Sequence, residues 1–122
     1  MNKTRFLNGK IYSDSDINFN NAIGVKEWYL NDLRHREDGP AIEWASGSKE
    51  WYLNGLCHRK DGPAVDYANG TKAWCLNGLR HRVDGPAVEY ANGNKQWYYH
   101  GKNIHCKNNQ EFLRMVKLMV FL

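Results

Sequence analysis

The sequence lacks any apolar run near the roughly 20 residues that a bilayer span needs. After Met1, Lys3-Thr4-Arg5 leads into Phe6-Leu7 and then polar residues, so no signal-peptide core is read there. Both absences lead to the expectation of a cytoplasmic chain. Cysteine is scarce, and Cys57, Cys75 and Cys106 show no CxxC spacing. Three cysteines cannot all pair within one chain, and a zinc site needs a fourth ligand and closer spacing, so reduced thiols and no metal or cofactor are expected. Charge is also poorly segregated. Lys plus Arg is 17 and Asp plus Glu is 13, but residues 28–96 hold nine of each, residues 1–27 carry 4 minus 3 and residues 97–122 carry 4 minus 1. A neutral body without a clustered basic face argues against nucleic acid as the partner. What is abundant is aromatic: 13% of the 122 residues, five of them Trp, which excludes intrinsic disorder.

The tryptophans at 28, 51, 74 and 97 recur every 23 residues. Three full units follow, 28–50, 51–73 and 74–96, and the last two agree at 17 of 23 positions. A degenerate copy at 5–27 keeps Leu7-Asn8-Gly9, Ala22, Gly24 and Lys26 in register, and a partial copy runs over 97–107. Atypical end copies are what an array needs to close its two ends.

Within each unit the apolar pattern has period two, which predicts strands. The Asn69-Gly70 and Asn92-Gly93 pairs predict two-residue hairpin turns. Such a turn sets Val65 against Trp74 and Asp66 against Ala73, and brings Lys49, Lys72 and Lys95 opposite Trp44, Tyr67 and Tyr90 for cation–π contacts. The stretch Asn-Gly-Leu-x-His-Arg-x-Asp-Gly-Pro reads as one long folded connection. A third strand is rejected because an odd strand count would invert every second unit. Leu33, Leu56 and Leu79 are expected to cover the Trp face, and Pro40, Pro63 and Pro86 to stand at strand starts. Asn108 followed by Glu111 predicts a helix start, with a helix over 109–122 that buries Phe112, Met115, Val116, Met119 and Val120 at the open sheet end or near Trp97. The whole is one all-β domain over 1–122: stacked β-hairpin repeats in an elongated antiparallel sheet, capped by a short C-terminal α-helix.

The pattern W-Y-x-N-G-x-x-H-x-x-x-G, an apolar strand and a second Gly resembles the membrane occupation and recognition nexus (MORN) repeat. Trp51, Asn54, Gly55, His58, Gly62, Tyr67 and Gly70 carry the match, with their equivalents, over about residues 5–107. The run His58-Arg59-Lys60-Asp61-Gly62-Pro63 departs from the usual His-Gly-x-Gly and looks like a variant found in proteins of phages and large DNA viruses. The resemblance implies stacked hairpins and a binding role. Relatives of the repeat include immunity-type proteins that neutralise a toxin by binding it.

His35/Asp38, His58/Asp61 and His81/Asp84 could each be a general-base pair. A catalytic site needs one constellation in one pocket, whereas this pair is copied in every unit without a nucleophile, so turn chemistry is the reading and no catalytic residue is assigned. The Asp residues are expected to accept turn amides, with Arg36, Arg59 and Arg82 bridging to an Asp. Recognition is expected where units differ: Arg34/Cys57/Arg80, Glu37/Lys60/Val83, Glu50/Ala73/Gln96 and Tyr29/Tyr52/Cys75/Tyr98. Tyr29, Tyr52, Tyr98, Arg34, Lys60 and Arg80 are the candidate partner-binding residues, with tyrosines expected to stand exposed as interface anchors. The expectation is a non-enzymatic module that binds a protein partner, a phage- or virus-type inhibitor of a host defence protein acting in the host cytoplasm. The alternative is a lipid-surface module using Lys107, Arg114 and Lys117. The helix or an unpaired sheet edge leaves a homodimer open.

Overall fold

A computed structural model describes residues 5–7, 10–12 and 24–120. Asn8-Gly9 and Ala22 of the degenerate first copy lie outside the described residues. Eight strands form one antiparallel sheet. In spatial order they are β3 (Lys26–Glu27), β6 (Ile42–Glu43), β7 (Lys49–Glu50), β10 (Val65–Asp66), β11 (Lys72–Ala73), β14 (Val88–Glu89), β15 (Lys95–Tyr99) and β16 (Lys102–Ile104). Each 23-residue step adds two strands to this sheet.

The segment read as a plain connection contains a strand, and this corrects the two-strand reading. β8 (Tyr52–Leu53) pairs with β9 (Leu56–Cys57) as a separate two-stranded ribbon; β4 (Tyr29–Leu30) with β5 (Leu33–Arg34), and β12 (Cys75–Leu76) with β13 (Leu79–Arg80), repeat it. Asn54 and Gly55 both take positive φ, 50° and 81°, which is the two-residue turn whose twist matches the flanking strands. The ribbon stands outside the eight-stranded sheet, so it leaves the parity of the main strands unchanged. The objection to a third strand therefore does not apply. In the degenerate copy, β1 (Arg5–Leu7) pairs with β2 (Lys10–Tyr12) with Phe6 opposite Ile11 and Leu7 opposite Lys10, the register that Tyr29–Arg34 and Leu30–Leu33 repeat 23 residues later.

The other turn is one residue longer than expected. Tyr67 donates its N–H to Thr71 O at 2.9 Å while its carbonyl accepts Gly70 N at 2.9 Å, so residues 68–70 form the loop, with Gly70 at φ +97°. Asn69 Oδ1 accepts the Thr71 amide at 2.9 Å, which holds Asn69 as a side-chain cap of the turn. Val65 consequently faces Ala73, and Asp66 faces Lys72. A slip of one residue exchanges the faces, and the Lys–aromatic pairs predicted from the shorter turn are replaced by Lys–carboxylate pairs. Cross-strand partners run Lys26, Glu43, Lys49, Asp66, Lys72, Glu89, Lys95 without a break. Opposite charges alternate along the row, an arrangement that favours this register over a slipped one.

The array closes at its C-terminal end as expected. Asn108 Oδ1 accepts the Glu111 amide at 2.8 Å and caps α1 (Asn109–Val120). Phe112 is fully buried against Trp97 and Ile104, with Met115, Val116 and Met119 packed around them. Val120, expected on that face, is 59% exposed. Trp97 Nε1 donates to Asn109 Oδ1 at 3.2 Å, and Asn109 Nδ2 donates to Val83 O at 3.2 Å, so the helix start is tied to the preceding unit. No helix among the described residues is long and apolar enough to cross a membrane.

Removing the Phe112 ring leaves Trp97 without its cover. Phe112→Ala is expected to lower unfolding stability by about 3–5 kcal/mol, read as the urea midpoint at unchanged slope. A loss below 1 kcal/mol would show that the helix is not part of the cooperative fold.

Candidate functional site

The motif His-Arg-x-Asp-Gly-Pro-Ala builds the same loop three times, and each position has a distinct physical task. The Arg guanidinium lies over the Trp that opens its own unit: Arg36 on Trp28 at 4.0 Å, Arg59 on Trp51 at 3.9 Å and Arg82 on Trp74 at 3.8 Å from the ring centroid. Stacking of this kind contributes about 0.5–2 kcal/mol, more as water is excluded. The Nε of each Arg donates to the Asp two residues on, at 3.0, 3.3 and 2.9 Å, and the Nη1 donates to the Pro carbonyl at 3.0, 3.0 and 3.1 Å. The Asp carboxylates thus serve the Arg of the same unit. Leu33, Leu56 and Leu79 do not cover the Trp face. They are 46%, 49% and 49% exposed and pack on Gly55, Gly78 and Gly101 of the following turn. The Arg supplies the cover instead, because a flat cation can lie on a ring and still reach two acceptors.

The Gly of the motif leaves room for the stacked guanidinium. A Cβ on Gly62 would stand 2.9 Å from Arg59 Cζ, and the equivalents at Gly39 and Gly85 are 2.9 and 2.8 Å. Ala41, Ala64 and Ala87 are wholly buried beside the Trp of their units, hydrogen-bonded backbone to backbone at 2.7–2.8 Å. In the first and third full units Arg Nη1 also reaches a sheet carboxylate, Glu43 at 2.9 Å and Glu89 at 2.8 Å. The second unit has Asp66 there, one carbon shorter, and Asp66 instead pairs with Lys72 at 3.0 Å. Arg59 is correspondingly the most exposed of the three, 27% against 11% and 20%.

His and Asp of one motif do not meet. His35 Nδ1 accepts the Asn54 amide of the next unit at 2.9 Å, His58 that of Asn77 at 2.9 Å, and His81 that of His100 at 2.8 Å. At the other end of the sheet Ser48 Oγ accepts the Ala68 amide at 2.9 Å and Thr71 Oγ1 the Ala91 amide at 3.0 Å. Both ends of a unit therefore present an acceptor to the unit that follows.

Successive loops leave open grooves between them. The first, of about 740 Å³, is floored by Trp51 and Leu53 and rimmed by Glu37, Asp38, Lys60 and Asp61. The second, of about 530 Å³, is floored by Trp74 and Leu76 and rimmed by Lys60, Asp61, Val83 and Asp84. Lys60 stands exposed on both rims. The other five candidates lie off the grooves, Tyr29, Arg34, Tyr52 and Arg80 on the ribbons and Tyr98 on β15. Tyr29, Tyr52 and Tyr98 are half-buried and bond to the side chain two residues back: Glu27 at 3.1 Å, Glu50 at 2.8 Å and Gln96 at 3.4 Å. Burial first, then the carboxylate, pushes the Tyr52 phenol well up, and burial raises that of Tyr29. Arg34 lies 5.9 Å from both the Tyr29 and Tyr52 rings and bonds Glu27 at 3.1 Å, while Arg80 is exposed. These tyrosines are not freely exposed anchors. The grooves themselves were missed by the sequence reading, whose only signal for them was one Arg per Trp at fixed spacing.

Two outcomes follow. Gly62→Ala should displace the Arg59 guanidinium and cost about 1–3 kcal/mol, roughly what Arg59→Ala costs. In an Arg59→Ala background the Gly62→Ala change should become nearly neutral, a coupling that a double-mutant cycle of urea midpoints measures. His81, lowered by burial and then by His100, favours the neutral form when folded. The unfolded chain binds the proton more readily, so stability is full above the ordinary imidazole value of about 6.5 and falls as pH drops through the lowered one. His81→Asn keeps an acceptor without titrating, so its stability should fall less steeply below pH ~6.5 than the wild type's; equal slopes would remove His81 from the acid response. Compared with known proteins, the chain matches no family model, no curated protein and no solved structure.

Proposed function

We propose that this chain is a non-enzymatic protein–protein interaction module built from MORN-like repeats, and that its grooves receive the partner. One observation carries the reading. The residues common to the units are spent on internal bonds, whereas the groove rims carry Glu37, Lys60 and Val83, acidic, basic and apolar at equivalent exposed positions. A fixed frame with varied rim residues is the arrangement by which repeat arrays distinguish partners. The phage- and virus-type motif extends the proposal to an inhibitor that occludes a host defence protein in the host cytoplasm.

A second reading has its own support. Leu113, Leu118 and Val120 stand 46%, 64% and 59% exposed on α1, with exposed Arg114 and Lys117 among them. That face suits an anionic lipid surface, or a second copy of the chain. Tagged protein in lysate of its natural cell should retain one protein stoichiometrically, and Lys60→Glu should weaken capture at least tenfold without moving the melting temperature. Retention unaffected by Lys60→Glu would move the binding surface off the grooves. Salt-sensitive sedimentation with anionic vesicles, lost in Arg114→Glu/Lys117→Glu, would favour the lipid reading.

A further inference from the structure

Two of the three cysteines are neighbours across a unit boundary. Cys57 ends β9 in one unit and Cys75 begins β12 in the next. The Cys57 carbonyl accepts Gly78 N at 2.8 Å, and the Cys75 carbonyl accepts Arg59 N at 3.1 Å, so backbone bonds hold the two ribbons together on either side of the pair. One unit earlier the same two positions are Arg34 and Tyr52, whose side chains lie together with the guanidinium carbon 5.9 Å from the ring centroid. Two short thiols take those positions in the next pair of units. Contact with Cys75, then burial, pushes the Cys57 thiol up, and the same contact favours the thiolate of Cys75. Both are free thiols; Cys75 is 5% exposed and Cys57 is half-buried.

We infer that Cys57 and Cys75 close into a reversible disulfide that locks the second full unit to the third when a small-molecule disulfide, such as oxidised glutathione, is present. The thiolate preference favours Cys75, but that sulfur is buried, so the attack falls to the more accessible Cys57. Its raised thiol ionises less readily and is the stronger nucleophile once it has lost its proton; it attacks one sulfur of the small disulfide. The S–S bond breaks, a small thiolate leaves, and Cys57 carries the mixed disulfide. The Cys75 thiolate then attacks the Cys57 sulfur and expels the second small thiolate. The two protons given up by the cysteines end on the two small thiols, so one disulfide is reduced as one forms. The new bond encloses residues 58–74, which include Arg59, its loop and the hairpin β10–β11. It joins the two units whose residues line the second groove. Oxidation therefore fixes that groove, and reduction returns it to noncovalent support alone. The inference concerns thiol chemistry and stands whether or not the grooves bind a protein.

The test uses the full reduced chain, incubated with oxidised glutathione under native conditions and digested without reductant. Mass spectrometry should find a peptide joining Cys57 to Cys75, in a chain lighter by two hydrogen atoms and free of glutathione. The melting temperature should rise by about 5 °C and return on adding dithiothreitol. Cys57→Ser and Cys75→Ser should each abolish the cross-link. Cys106→Ser should not, since Cys106 packs instead in the Trp97 cluster. Glutathione adducts without the cross-link, a cross-link formed only in urea, no reaction, or a cross-linked chain that melts lower than the reduced one would each overturn the inference.

Discussion

The fold depends on a cation lying on an indole. Each full unit opens with a Trp, and an aromatic of that size left wet would forfeit about 1.5–3 kcal/mol of burial. The Arg of the same unit closes over it, and the hydrogen bonds of that Arg to Asp and to the Pro carbonyl shape the loop that carries it. Side chain, cover and loop are one device. It explains why Gly stands where a methyl would strike the guanidinium. It also explains why the array needs a helix at one end. Trp97 has no following Arg motif, and Phe112 takes the place of the guanidinium.

This arrangement makes the array behave as a repeat solenoid. Six of the eight main strands span only two residues and would be marginal alone, but they are joined edge to edge and supported at both ends by side-chain acceptors from the preceding unit. Each such bond contributes on the order of 1 kcal/mol, and repetition makes the sum substantial. Stability is carried by interfaces between neighbours, so a change in one unit is felt mainly by the two beside it. The shorter Asp66 marks the second unit as the one whose Arg is least tied to the sheet.

Most of the architecture was legible in the sequence because period and punctuation carry it. The 23-residue spacing, the period-two pattern and the Asn108 cap led to the stacked hairpins and the terminal helix, and these stand. What failed was turn chemistry at the level of one residue. The two Asn-Gly pairs of the second full unit look alike, yet Asn54 takes positive φ in a two-residue turn whereas Asn69 bonds Thr71 and the loop grows to three. That single residue reassigned the partners of Lys49, Lys72 and Lys95. The grooves were illegible for a different reason. They are spaces between copies of a loop, and a sequence shows the loop but not the distance between copies. The half-burial of Tyr29 and Tyr52 likewise follows from the ribbon that the parity argument had dismissed.

The side-chain acceptors that join the described units all point one way. His35 serves Asn54, His58 serves Asn77, and Ser48 serves Ala68, always from the earlier unit to the later. The array therefore has a head and a tail, in the order of its synthesis. As the chain leaves the ribosome, each new turn meets an imidazole or hydroxyl already held in place by the unit made before it. Growth of the sheet is templated from the N-terminal side, and α1, which follows the units, closes a surface that every earlier unit had kept open for its successor.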